Sequence, residues 1–387
     1  MNMIINNNQW GLAKRMAIFS RLLILLTGVL FFSQNVWADV ACQRHDPLIT
    51  QAVNISPTVS YAGNDMPTGS TIYRLKMQVS TNPGVYCDGP FDLTSYWGVA
   101  NEPLGAPTII GGKPVYPTNV PGVGVVLWSS QLGGGNGYFS KSAPMPYGSF
   151  KYASQGSQVM LTTVDVSLIK TGDIPSGAVV DATKIPGIEL YFPATTGYSG
   201  LPFTMQTATF TGSISFVTQT CTTPDVTVNL GSYDVSKFTA IGTTTAWKDA
   251  SIVMQNCPAF TNYYGGGLNS TQYIKDSGTV AESPRDANIF TVSLTPANSV
   301  TNNIISLDSG ADAATGVGVQ MGYSTSVDAA ATPPQNLWTA GTSWDLTAPT
   351  DGRNTVSIPL AARYYQTGNT ITPGKANTKI TVNIDYK

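Results

Sequence analysis

Residues 374–387 read GKANTKITVNIDYK. From Lys379 onward apolar and polar residues alternate, with Ile380, Val382, Ile384 and Tyr386 on one side and Thr381, Asn383 and Asp385 on the other. A period of two is a β-strand with one face buried. Because no residue follows Lys387 in the sequence, the expectation is that nothing returns along the far edge of this strand by a simple hairpin.

The same short period recurs through the chain. In the first half it appears at Tyr73, Leu75, Met77 and Val79, at Val123, Val125 and Leu127, and at Val164, Val166 and Leu168. Turn clusters such as Asn82-Pro83-Gly84, Gly111-Gly112 and Thr171-Gly172-Asp173 separate these runs. In the second half come Phe290, Val292 and Leu294, then Val317, Val319 and Met321, then Val356, Ile358 and Leu360. Many short strands with Gly and Pro between them predict an all-β protein of sandwich type. Charged residues make up 11% of the chain, less than half the usual ~25%, which suits strands and turns rather than solvated helices.

At the amino end, Lys14, Arg15 and Arg21 precede an apolar run over 22–32, and Val36 and Ala38 fit a small-residue cleavage site. This reads as a signal peptide over 1–38, since the run is too short to cross about 30 Å of hydrocarbon. No later stretch predicts membrane insertion. The leader carries three of the 20 basic residues and none of the 22 acidic ones, so the mature chain is mildly acidic. With no cluster of Lys and Arg, it offers no electrostatic footprint for nucleic acid.

Four cysteines in an exported chain allow three connectivities. Pairing within halves is the simplest, joining Cys42 to Cys87 and Cys221 to Cys257. In the chain-entropy model each such loop stabilises its domain by roughly 4 kcal/mol. Oxidised cysteines supply no thiolate, and one histidine, His45, cannot build a tetrahedral site, so neither a metal nor another cofactor is predicted. His45 reads as structural or solvent-exposed.

The strand pattern breaks at 198–203, where Gly200 and Pro202 occur, which places a boundary at 206/207. Beyond it, Phe210-Thr211-Gly212-Ser213-Ile214, Gly316-Val317-Gly318-Val319-Gln320-Met321 and Ile358-Pro359-Leu360-Ala361-Ala362-Arg363-Tyr364-Tyr365 lead through Gly374 to the penultimate Tyr386. These segments resemble, in order, the type 1 fimbrial subunits assembled by the chaperone-usher route. In the first half, Leu168-Ile169-Lys170-Thr171-Gly172 and the early Cys42 look like the lectin-type domains of two-domain tip adhesins of such fimbriae.

The resemblance implies an amino-terminal lectin-like sandwich over 39–206 and a carboxyl-terminal immunoglobulin-like pilin domain over 207–387 that lacks its last strand. It implies that a periplasmic chaperone supplies that strand first and that, at the outer-membrane usher, the adjacent pilus subunit replaces it, a mode of strand addition already known in this family. Gly374, Ile380, Val382, Ile384, Tyr386 and Lys387 would then be the contacts of the donated strand. Only three residues of the mature chain precede Cys42, while a strand of useful length needs about seven. The expectation is therefore an accepting but not donating subunit, exported through the periplasm to the extracellular tip of the fimbria. The segment 261–286, rich in Tyr, Gly and Asn, departs from a minimal pilin and has no assigned role.

A tip subunit meets a surface, and a host or environmental glycan is the predicted ligand. Sugars bind over an aromatic ring, with Asp, Asn or Gln reaching their hydroxyls from loops on a rigid scaffold. Trp97 with Asp92, Tyr96 and Asn101, and Tyr138 with Asn136, are such combinations, although core packing is the plainer reading of any one ring. Two alternatives remain: a structural tip subunit that binds nothing, and a carbohydrate-active enzyme. The enzyme would need a carboxylate pair or a Ser-His-Asp set, and acidic residues are sparse.

Overall fold

The computed structural model describes residues 39–79, 82–130, 137–265, 271–275, 277, 278, 280, 281 and 283–387. The expected leader lies outside the described residues. Helical structure among the described residues is limited to the single turns Ala182–Lys184 and Val235–Lys237, and none of their helices is long and apolar enough to cross a membrane. The all-β expectation therefore holds.

Two sheets and a small side sheet form the first sandwich. One sheet orders Met145–Tyr152, Phe91–Val99, Ile188–Phe192, Phe203–Val217 and Val179–Asp181, with Ile49–Tyr61 parallel to Phe203–Val217. The facing sheet orders Thr71–Val79, Thr162–Lys170, Val123–Ser129, Lys113–Pro117 and Thr108–Ile110. Alternation decides what lies between them: Leu75, Met77, Val125, Leu127, Val164, Val166 and Leu168 meet Leu93, Trp97, Leu190, Phe192 and Phe210 in one buried core. Each aliphatic side chain removed from water there stabilises the fold by about 1.5–3 kcal/mol.

The side sheet contains Val40–Arg44, which pairs with Gly84–Cys87 and, in parallel, with Tyr198–Ser199. Cys42 stands opposite Cys87 in that register, and the two form a disulfide.

The expected boundary at 206/207 falls inside the strand Phe203–Val217, which runs beside Ile49–Tyr61 from Gln206 to Val217. Gly200 and Pro202 therefore mark a turn within the first sandwich, and the sandwich continues to Val217. Gly212 accommodates an irregularity within this strand. Its φ is +94°, and a Cβ there would stand 1.8 Å from the Ile55 carbonyl oxygen, at a register shift in the pairing. Only glycine tolerates both. The motif around Phe210 thus belongs to the first sandwich by its pairing, and Val217 is the residue that turns toward the second core.

In the second sandwich, Ser343–Thr347, Ile289–Pro296 and Ile380–Tyr386 form one sheet. It packs on Lys248–Asp249, Leu360–Gln366, Val317–Tyr323, Ile304–Ile305 and Val300–Thr301, with the pair Ile252–Met254 and Val356–Ile358 alongside. Phe290, Val292, Leu346, Ile358 and Leu360 are buried between them. Cys221 and Cys257 are joined as the spacing predicted.

Candidate functional site

The terminal strand Ile380–Tyr386 pairs antiparallel with Ile289–Pro296 on one side only. Lys387 and Ile289 exchange both backbone hydrogen bonds, at 2.9 Å each, and the Ala297 N–H donates to the Lys379 carbonyl. Antiparallel pairing alternates, so Thr381, Asn383 and Asp385 also point their backbone groups at that neighbour. Ile380, Val382, Ile384 and Tyr386 consequently direct theirs to the other side, where no backbone partner is found among the described residues.

Thr223, at the start of 223–233, shares a cavity wall with Val382, Ile384 and Tyr386 on this open side. At one end the Cys221 N–H donates to the Tyr386 hydroxyl at 3.2 Å. At the other, the Tyr233 ring lies 6.2 Å from Tyr364, whose hydroxyl donates to the Ala376 carbonyl at 3.1 Å. Between these ends 223–233 forms no strand pairing, although Val226, Val228 and Leu230 carry the alternation of one. A gap therefore separates two strand-like edges.

The floor of the gap is apolar and incompletely covered. Val228, Ile252, Tyr364, Ile380, Val382 and Ile384 border the second core yet are only partly buried. At the end nearest Tyr386 it opens into a cavity of about 300 Å³ walled by Thr220, Thr223 and, from the first sandwich, Asn64 and Asp65. Tyr386 itself is buried, edge-on to Phe290 at 5.2 Å and stacked on Phe260 at 6.4 Å. Burial raises its phenol pKa above the ordinary value, the Cys221 N–H opposes this, and the charge of Asp65 adds to it. Lys387 is exposed.

Gly374 does something other than face the gap. A Cβ on it would lie 2.6 Å from backbone atoms of Asp312, Ala313 and Ala314, and the Lys375 N–H donates to the Asp312 carbonyl. The glycine permits the chain's own backbone to approach, an internal role in place of the expected strand contact.

The sequence-predicted sugar residues do not converge. Phe91–Val99 places Trp97 in the core, fully buried, stacked on Phe139 at 6.4 Å and edge-on to Tyr147 at 5.7 Å. A ring with no exposed face cannot lie under a sugar, so Trp97 is a packing residue. Asp92 and Tyr96 point outward from the same strand because they have the opposite parity. Asp92 is ion-paired with Lys151 at 2.9 Å, in full exposure. Asn101 follows the strand, and its Oδ1 accepts the Gly187 N–H at 2.7 Å. Tyr138 is on the outer face of the other sheet, 6.4 Å from Trp128 and 5.6 Å from the Lys113 ammonium. Asn136 lies outside the described residues.

One grouping on the outer face of the Phe91–Val99 sheet went unread in the sequence. Ile188–Phe192 lies beside Phe91–Val99 with Tyr191 opposite Tyr96, their rings 6.2 Å apart and half-buried. Gly98 leaves the space beside the Tyr191 ring, since a Cβ there would stand 2.9 Å from it. Glu189 accepts the Thr204 hydroxyl at 3.1 Å next to this pair. The signal was the alternation Ile188, Leu190, Phe192, which leaves Glu189 and Tyr191 outside.

His45 is exposed and pairs with Asp46 at 2.8 Å. No group of three or more His, Cys, Asp or Glu placed to hold a metal occurs among the described residues. A larger cavity, about 630 Å³, opens on the other sheet of the second sandwich around Ile304, Gly318 and Tyr365 and contains none of the predicted residues.

Residues 208–387 match the family model described as fimbrial protein. Among solved structures, the chain is similar to the CupB6 tip adhesin of Pseudomonas aeruginosa at 13% identity, covering 89% of this chain and 94% of that one with a TM-score of 0.34. It is also similar to the receptor binding domain of the plasmid-born adhesin MrkD1P of Klebsiella pneumoniae, at 19% identity over 47% of this chain and 98% of that one, TM-score 0.29. A third likeness is to the P pilus rod subunit PapA, at 18% identity over 44% of this chain and all of that one, TM-score 0.29. No curated protein matches the chain. The carboxyl-terminal part of this chain thus matches the fimbrial protein family.

Proposed function

We propose that the chain is the tip adhesin of a chaperone-usher fimbria, exported through the periplasm, whose second sandwich is completed by a β-strand from another protein. The observation that carries this is the open edge of Ile380–Tyr386, four residues with unpaired backbone groups above half-covered apolar side chains. An exposed edge of that kind is an invitation to strand addition and a cost in water. A periplasmic chaperone fills the gap first, and the adjacent pilus subunit replaces it at the outer-membrane usher. Val40 and Ala41, the residues ahead of Cys42 in the side sheet, are already paired with Tyr198 and Ser199. They are not free to be donated, which fits a subunit at the fibre's end.

The receptor face of the first sandwich is the outer surface bearing Tyr96, Tyr191 and Glu189. Two adjacent phenol rings supply apolar platforms for sugar C–H groups, and the Glu189 carboxylate supplies acceptors for hydroxyls. A glycan array probed with the full mature chain, held with its strand-supplying partner, tests this reading. Binding that disappears in both Tyr96→Ala and Tyr191→Ala supports it. A correctly folded chain that binds no glycan would favour the alternative of a structural tip subunit.

A further inference from the structure

Within the segment 261–286, which has no role in the sequence reading, Gln272–Lys275 lies against the first sandwich. Gln272–Lys275 pairs in parallel with Thr71–Val79, with Ile274 opposite Met77, and so forms the next strand of the first sandwich's sheet. Ile274 is 1% exposed, and it and Tyr264 belong to the first core, Tyr264 edge-on to Tyr73 at 6.1 Å. Side chains tie the same junction: the Tyr73 hydroxyl donates to Gln272, the Tyr273 hydroxyl to Gln78, and the Gln51 amide to the Lys275 carbonyl at 3.2 Å.

Traffic also runs the other way. Tyr61, at the end of Ile49–Tyr61, is buried in the second core and lies 5.6 Å from Phe260. The Arg285 guanidinium donates to the Val59 carbonyl of the first sandwich at 3.2 Å and to the Thr261 carbonyl at 3.1 Å, while lying 4.9 Å from the Tyr264 ring centre. Each sandwich thus places apolar side chains inside the other's core.

We infer that Gln272–Lys275 is an internally donated strand that closes the Thr71–Val79 edge and makes the two sandwiches one cooperative, hinge-free body. A short linker alone leaves two domains free to reorient. Here, opening the junction would uncover Leu75 and Met77 from one side and Tyr61 from the other, together with a row of backbone groups, so neither half loses the other without losing part of itself. A pull applied through the carboxyl half is then carried into the first sandwich by a sheet pairing rather than by the connection at 218–222.

Residue-resolved amide exchange and calorimetry on the full mature chain, bound to the partner that fills its open edge, test this. In the wild type the expected results are a single unfolding transition and protection along 75–78, including the alternate amides that face Gln272–Lys275. In Ile274→Asp those amides should exchange about tenfold faster or more and the transition should split, while Ile289–Pro296 keeps its protection. Arg285→Ala, which leaves the core intact, should give the same pattern more weakly if Ile274→Asp does not fold. Two separate transitions in the wild type would overturn the inference, as would exchange at 75–78 that neither substitution alters.

Discussion

Trp97 and Tyr96 are neighbours in sequence with opposite fates. The inward one fills the first core, and Trp97→Ala should cost about 3–5 kcal/mol of stability by leaving a cavity. Tyr96→Ala should change stability by less than about 1 kcal/mol while removing glycan binding. Chemical denaturation and binding measured on both variants separate the two roles. Nothing in the local composition distinguishes them: the period of two fixes that they differ, and only the facing strands decide which is inside. A second residue-scale expectation concerns Asp165, fully buried, whose Oδ1 accepts from Arg74 Nε at 3.0 Å and Nη2 at 2.7 Å and whose Oδ2 accepts the Ser130 N–H. Asp165→Ala leaves the guanidinium buried over Trp128 without its carboxylate and should destabilise by about 3–5 kcal/mol, read from the denaturant midpoint. The pair was invisible in the sequence because Arg74 and Asp165 are on different strands and alternate as ordinary outward-facing residues.

At the scale of elements, the terminal strand was legible because its alternation is uninterrupted and its partner, Ile289–Pro296, shares the same period. The apolar positions of that alternation, Ile380, Val382 and Ile384, are partly buried against the second core. Residues 223–233 were less legible. Val226, Val228 and Leu230 look like a strand, and the structure leaves them unpaired, because alternation marks a face and does not by itself supply a partner. Val382→Lys tests the element directly. With Val382 only partly buried in the chain alone, lysine there should leave the fold intact, yet it would place an ammonium under an incoming strand, where burial of an unpaired charge is costly. Co-purification with the chaperone should be abolished, and unchanged co-purification would contradict the assignment. The strand Phe203–Val217 shows the opposite failure: the expected boundary was drawn where glycine and proline cluster, whereas the pairing with Ile49–Tyr61 runs straight past it.

For the whole molecule, two sandwiches, their disulfides and an all-β architecture followed from strand period, turn residues and cysteine spacing. Their interlocking did not, since the segment that links them is polar, rich in turn residues and short in strand. An accepting edge left in water predicts a cell-level outcome as well: the mature chain exported without its chaperone should be degraded or aggregate, and equal recovery with and without the chaperone would argue against an open groove. The most direct measurement is amide exchange along Ile380–Tyr386, in the isolated monomer and again with the partner strand bound. The account predicts that in the monomer the N–H groups of Thr381, Asn383 and Asp385 exchange slowly while those of Ile380, Val382, Ile384 and Tyr386 exchange fast, and that the second set becomes slow on binding. Slow exchange at all seven positions in the monomer, with no change when the partner is added, would contradict it.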